Sequence, residues 1–151
     1  MPNTEFPQSF FRGLSSKDFV KNNVVQPSAF QFKETLNDNS RKEASINWND
    51  DGNALELLLN QKKTDETFQF KGGATELYLS EIKMALNIFF IQNKLFCERK
   101  PIEGSDEQED NPYHGNLVIK SDLTNAERQM ITGTLASLGS SRFIPRKDND
   151  V

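Results

Sequence analysis

Short segments with the apolar period of a strand and short segments with that of a helix are interspersed along this chain. This mixture is the feature that most constrains the fold. Residues 44–48 alternate in polarity and place Ile46 and Trp48 on one face of a strand. Thr124 and Glu127 instead form the capping box that begins a helix. Short strands interspersed with helices are typical of α+β proteins. We therefore expect an α+β fold with a mainly antiparallel sheet and two or three helices.

One domain accounts for the whole chain. Its 151 residues have the size of a single domain, and no internal repeat or low-complexity linker divides them. The 12 phenylalanines indicate a real hydrophobic core, since disordered chains are poor in aromatics. We expect residues 1–151 to form a single α+β domain, with flexible ends at 1–8 and 146–151.

Local patterns predict the other elements along the chain. The sequence predicts a short Ser-capped helix near Ser15 and Ser16, a helix over 53–60 and a third over 124–138, ended by Gly139. Residues 80–96 fit both a helix and a buried strand, and we favour the helix. Alternation predicts further strands, and Gly72-Gly73 predicts a hairpin between two of them. The loop is expected at 37–43, and the further strands at 28–32, 67–70, 74–79, 94–100 and 117–120.

Charge and cysteine content exclude several classes of protein. The net charge is −4 and the pI is about 5.1, so the chain lacks the global basic field of a typical nucleic-acid binder. Cys97 is the single cysteine, which excludes an intrachain disulfide and a Cys-based zinc site. The longest apolar run, 88–91, is far shorter than the roughly 20 residues that cross a bilayer. We expect a soluble cytoplasmic protein with no membrane partner.

The segment 111–116 is the candidate site that the sequence singles out. It contains His114, the only histidine, and Pro112 and Gly115 shape the turn before a buried strand. His114 could act as a general acid or base, helped by Tyr113 and Asn111. Alternatively, its ring hydrogen-bonds a loop backbone and locks the strand entry.

Signatures of cofactors and metals are missing from the sequence. There is no phosphate-binding Gly-rich loop, no dinucleotide fingerprint and no Gly-x-Ser-x-Gly elbow. A metal would need carboxylates from the acidic run 106–110, whose spacing matches no calcium loop. We expect no cofactor and no metal. The candidate binding residues are Asn111, Tyr113, His114, Asn116, Arg12 and Arg142, the two arginines because they lie beside phenylalanines.

Three short steps follow one another along the chain, namely Ser28-Ala29-Phe30, Ser45-Ile46-Asn47-Trp48 and Asn111-Pro112-Tyr113-His114, the last being an Asn-Pro-x-His step. Together they resemble a group of small bacterial proteins that are often encoded in conflict or defence loci. The resemblance covers most of the chain in order, while residues 80–96 depart from the pattern. It implies an accessory or interaction role, and it implies no catalytic residues.

Three functions remain open. The leading hypothesis is a non-enzymatic accessory protein that binds a larger protein partner, in a bacterial antiviral defence or toxin-linked system. Its acidic surface would suit a basic partner. The first alternative is a small hydrolase-like enzyme using His114 with Ser28, Ser45 or Asp51. The second is a nucleotide or nucleic-acid binding module using Arg12, Arg41 or Arg142.

Overall fold

A seven-stranded sheet with helices on both faces forms a single α+β domain, as the sequence predicts. The computed structural model describes residues 6–35, 38–105 and 110–146. The strands are β1 (Ser9–Leu14), β2 (Val20–Lys21), β3 (Val24–Val25), β4 (Lys33–Glu34), β5 (Arg41–Trp48), β6 (Gly73–Tyr78), β7 (Leu95–Arg99), β8 (His114–Lys120) and β9 (Phe143–Ile144). The helices are α1 (Asn53–Asn60), α2 (Leu79–Ala85), α3 (Asn87–Ile91) and α4 (Asn125–Ser140).

The order of the strands leaves a gap beside the central strand β5. The sheet runs β7-β8-β5-β1-β6-β9, and β4 also pairs with β5. Every ladder between the described strands is antiparallel. β8 pairs with β5 along residues 41–47, but β1 pairs with it only at Asn47 and Trp48. β4 joins the same edge of β5 at Lys42 and Glu43. Residues 44–46 of β5 therefore have no strand partner on that side.

Two apolar clusters cover the two faces of the sheet. Phe10 and Phe11 are neighbours on β1, so their side chains point to opposite faces. Phe10 packs in the main core with α2, α3 and α4, and Phe11 packs in a smaller cluster with α1 and Phe70. Ile46 and Trp48 both point into the main core, as the alternation in β5 predicts. The face that carries α1 is only partly covered.

Elements with a strong local signal are confirmed. Helix α1 spans residues 53–60 as predicted. The segment 80–96, which fits both a helix and a strand in sequence, is helical as far as Ile91, in α2 and α3, and its last two residues begin β7. At α4 the Thr124 Oγ1 accepts from Glu127 N at 3.1 Å, and the Glu127 carboxylate accepts from Thr124 N at 3.0 Å. The strands predicted at 94–100 and 117–120 are β7 and β8.

Several predictions were wrong because tertiary contacts decide them. Residues 28–32 form no strand: Pro27–Ala29 is a 3-10 turn, and the buried Phe30 packs on the core without a ladder. The hairpin at Gly72-Gly73 is also wrong, because β6 pairs with β1 and β9. Residues 67–70 make a single bridge, between Phe68 and Lys62.

Two further boundaries differ from the prediction. The loop expected at 37–43 is partly strand, since β5 begins at Arg41, and residues 36 and 37 lie outside the described part. Gly139 does not end α4 but lies inside it, where its carbonyl accepts from Thr75 Oγ1 at 2.6 Å. The expected flexible ends lie mostly outside the described residues. Among the helices of the described ranges, none combines the length and apolarity that a membrane span requires.

Candidate binding groove

A groove of about 580 Å³ lies over the partly covered face of the sheet. Residues 43–47 of β5 form its floor, and α1 contributes Leu58 and the following segment 61–64 to its wall. Ser45 is exposed although it lies in the middle of a central strand. A concave site with convergent polar groups is where ligands usually bind, and we take this groove as the candidate functional site.

Arg12 spans the gap between β1 and β5 at the edge of the groove floor. Its Nε donates to Ala29 O at 3.0 Å, and its Nη1 donates to Ser45 O at 2.7 Å. These bonds bridge the two sides of the gap where a strand ladder is missing. Burial lowers the pKa of Arg12 to about 10, so the guanidinium still carries its charge at neutral pH.

Polar side chains of three neighbouring strands lie side by side on this face of the sheet, and Ser45 and Asn116 among them line the groove. The register sets Ser45 beside Asn116 on β8, and Asn116 beside Glu98 on β7. Asn116 Nδ2 donates to Glu98 Oε1 at 2.9 Å, and Arg41 Nη2 donates to the same oxygen at 2.5 Å. Burial alone would raise the pKa of Glu98, but these two bonds bring it below its ordinary value. Asn116 and Glu98 are thus held in place, while Ser45 stays open to the groove.

A buried amide network fixes the segment 111–116 against β5. Asn111 Nδ2 donates to Asn47 Oδ1 at 2.8 Å, and Asn47 Nδ2 donates to Ala54 O at 3.4 Å. Asn111 Oδ1 accepts from the backbone N–H of Tyr113 at 3.1 Å, which closes the turn. The Tyr113 hydroxyl donates to the Asp51 carboxylate at 2.9 Å, and this bond raises the pKa of Tyr113. The turn is therefore fixed by hydrogen bonds of the Asn111 side-chain amide and of the Tyr113 hydroxyl.

His114 begins β8 and lines the groove with a defined tautomer. Its Nδ1 lies 2.8 Å from Lys100 O. Because a carbonyl oxygen can only accept, Nδ1 carries the proton of the neutral ring and Nε2 is left as an acceptor. Within the described ranges, no hydrogen bond joins His114 to a serine, a threonine or a carboxylate. The nucleophile–base contact of a hydrolase is therefore not assembled there.

Basic side chains outnumber acidic ones in the groove, although the chain as a whole carries a net charge of −4. Four cationic residues and two acidic residues line it, namely Arg12, Lys33, Lys62 and Lys63 against Glu34 and Glu43. Glu43 is itself paired with Arg41 Nη2 at 2.6 Å. The groove therefore presents a local positive field in an acidic protein.

The groove gathers some of the candidate residues and not others. Four of the six predicted binding residues line it, namely Arg12, Asn111, His114 and Asn116. Tyr113 supports the turn from outside the lining. Arg142 does not line the groove either: its Nη1 donates to Glu81 at 2.6 Å, and its guanidinium stacks on the Tyr78 ring at 4.3 Å.

The residues named for the enzymatic and nucleotide alternatives are similarly divided. Ser45 lines the groove, but Ser28 is exposed on the turn before β4, and Asp51 bonds the Tyr113 hydroxyl. Arg41 is held between Glu43 and Glu98. The fold therefore brings Ser45 near the segment 111–116 and leaves the other three away from the lining.

Other lining residues were missed by the sequence reasoning. Lys62 and Lys63 follow α1 in a polar segment with no motif, and no sequence signal marks them as part of a site. Asn47 could have been found, because its neighbours Ile46 and Trp48 point into the core and Asn47 must face the opposite side. Within the described residues, no group of His, Cys, Asp and Glu side chains is placed to hold a metal ion, and residues 106–109 lie outside them.

Comparisons with known proteins returned no significant similarity. No family model matches the chain, no curated protein matches it, and no solved structure matches it. The resemblance to small bacterial proteins of defence loci stays a prediction. The geometry and charge of the groove are therefore the basis for a function.

Proposed function

We propose that this protein is a non-enzymatic binding protein whose groove docks on an acidic segment of a larger protein partner. The observation that carries the proposal is the cationic lining of an open groove over β5. Arg12 contributes a charge at the floor, and Lys62 and Lys63 contribute charges at the wall. Complementary potentials steer association and favour the right partner over wrong ones.

The local field of the groove favours a different ligand from the one that composition suggests. A net charge of −4 suggests a basic partner, because composition shows only the sum of the charges. Exposed charges act over about one Debye length, roughly 8 Å at physiological salt. A ligand inside the groove therefore responds to the lysines and arginine around it more than to distant acidic residues. An acidic segment is the complementary ligand.

The aromatic residues favour a protein segment over a nucleic acid. Proteins that bind single strands stack bases on exposed aromatic rings. Phe70 is the one Phe, Tyr or Trp among the described lining residues, and its ring packs on Gly13, where an added Cβ would lie 2.3 Å from Phe70 Cδ1. Phe96 is likewise engaged, with the Arg41 guanidinium 5.5 Å from the centre of its ring. Neither ring offers the groove a stacking platform.

A wider biological role rests on the resemblance alone. The small bacterial proteins with an Asn-Pro-x-His step are companions in conflict or defence loci, and an accessory subunit that binds a larger protein fits that setting. We extend the proposal to an accessory role in a bacterial antiviral defence or toxin-linked system. Identification of the partner is the test of this extension.

Site-specific photocrosslinking tests the proposed function. A photoreactive benzoylphenylalanine replaces Ser45 on the groove floor, and the control carries it at Met130, which is 59% exposed on α4. In lysate of the native host, we expect position 45 to crosslink one protein in stoichiometric amount, through a peptide rich in Asp and Glu. Position 130 should not. Equal capture at both positions, or crosslinks from position 45 to nucleic acid, would refute the proposal.

A small hydrolase-like enzyme is the second candidate, favoured by the acceptor Nε2 of His114 in the groove. An acid or base needs this kind of fixed orientation. Chromogenic ester and phosphodiester substrates test it with the wild type and His114→Asn. Turnover that disappears in the variant supports catalysis, and turnover that is absent or unchanged rules out His114 as its catalyst.

A further inference from the structure

Arg12 has no carboxylate partner among the described residues, unlike three other arginines that border the sheet. Arg41, Arg99 and Arg142 each form an ion pair with an acidic side chain at 2.5–2.6 Å. Within the described ranges, the bonds of Arg12 go only to the backbone carbonyls of Ala29 and Ser45. A cation in a partly desolvated position is usually paired, because burial without a counter-charge is unfavourable.

The geometry leaves part of the guanidinium available for a ligand. An arginine carries five N–H donors in a planar fork, and the two carbonyl bonds use one on Nε and one on Nη1. The remaining donors belong to a side chain that is half-buried and lines the groove. The two bonds also fix the guanidinium, so the Arg12 side chain loses little further conformational entropy when a ligand binds. Ser45, whose carbonyl accepts the bond from Nη1, is itself exposed and lines the groove.

We propose that Arg12 is a carboxylate receptor, which binds an Asp or Glu side chain of the acidic segment that enters the groove. This inference rests on the proposed function and names the subsite within it. The carboxylate takes the remaining N–H groups of the guanidinium, and the exposed Ser45 in the groove lining supplies a hydroxyl donor on the same floor. Lys62 and Lys63 at the wall then hold neighbouring acidic residues of the segment by charge alone.

A defined peptide tests the subsite without knowledge of the partner. The probe is blocked hexaglutamate, titrated into ¹⁵N-labelled full-length protein while the arginine Nε–H and the backbone amides are followed by NMR. Hexalysine is the charge control, and inorganic phosphate and a uridine hexanucleotide are the competing anions. We expect hexaglutamate to shift the Arg12 Nε–H and the amides of residues 43–47, and hexalysine to shift neither.

Variants separate the subsite from the groove. Arg12→Gln should weaken hexaglutamate binding about tenfold or more, the usual effect of losing a hydrogen bond to a charged group. Arg142→Gln is the matched control, since its guanidinium already binds Glu81 and does not line the groove; it should leave the affinity unchanged. The Nε–H shift in the wild type reports on Arg12 directly, so the inference stays testable even if Arg12→Gln unfolds.

The outcomes of these titrations distinguish a failure of the Arg12 subsite from a failure of the proposed function. Binding with shifts at residues 43–47 but an unmoved Arg12 Nε–H, or equal affinity in Arg12→Gln and Arg142→Gln, overturns the receptor role and leaves the groove as the docking site. Tighter binding of phosphate or of the hexanucleotide than of hexaglutamate overturns the choice of an acidic peptide. Binding of hexaglutamate that shifts none of the amides of the lining residues 43–47 and 61–64 overturns the proposed function itself.

Discussion

Replacing Gly115 by alanine should destabilise the protein by about 3 kcal/mol. Gly115 lies on β8 directly after His114, and a Cβ there would be 2.2 Å from Glu98 O and 2.4 Å from Trp48 Nε1. Those two atoms are hydrogen-bonded to each other at 3.1 Å. Trp48 is fully buried, so its indole has little freedom to move away. The methyl group must therefore break this bond or displace β7.

The magnitude follows from the contacts that the methyl group disrupts. Losing the bond from Trp48 Nε1 costs about 1 kcal/mol, and leaving a buried N–H unsatisfied raises the cost to about 1–3 kcal/mol. Overpacking a tight site adds about 1–3 kcal/mol. β7 is an edge strand with one sheet neighbour, so it can shift and relieve part of the strain. Together the two costs span about 2–6 kcal/mol, and the relief at β7 brings the expected cost to about 3 kcal/mol.

Urea unfolding followed by tryptophan fluorescence measures this cost, since Trp48 is the only tryptophan in the chain. Gly133→Ala is the matched control, because a Cβ at that position of α4 has no atom within 4 Å. Gly133→Ala should stabilise the protein by about 0.5–1 kcal/mol, because alanine is a better helix former than glycine. A cost below about 1 kcal/mol for Gly115→Ala would refute the reasoning.

Three further predictions concern other parts of the fold. Asn111→Ala should cost about 1–3 kcal/mol in urea unfolding, because it leaves the buried Asn47 Oδ1 without its 2.8 Å bond; a cost near zero would contradict this. The pKa of Glu127 is lowered, chiefly by the backbone N–H of Thr124, so its contribution to stability exists above the ordinary value of 4.5 and disappears as the pH falls through the lowered value. Glu127→Gln should remove that part of the pH–stability curve, and an unchanged curve would contradict it. Burial raises the pKa of Cys97 to about 12, so Ellman's reagent at pH 8 should react far more slowly with native protein than in urea, and equal rates would argue against burial.

The candidate site was partly visible in the sequence. Asn111, His114 and Asn116 stood out because a stiff turn precedes a buried strand, and the structure places them in the groove lining. Arg12 was named for the phenylalanines beside it, but its position depends on a gap between strands that no local pattern shows. Lys62 and Lys63 were not marked at all, because they reach the groove only through the packing of α1 on the sheet.

The sequence by itself determined those elements whose signal lies within one segment. The capping box begins α4 and the alternation orients β5, because both patterns act through neighbours a few residues apart. Only the tertiary structure decided the partners of β6 and the separation of β1 from β5. Those contacts join residues tens of positions apart, and strand pairing depends on which surfaces the core buries rather than on local propensity. The groove exists because of that separation, and so does the position of Arg12, which has no carboxylate partner among the described residues.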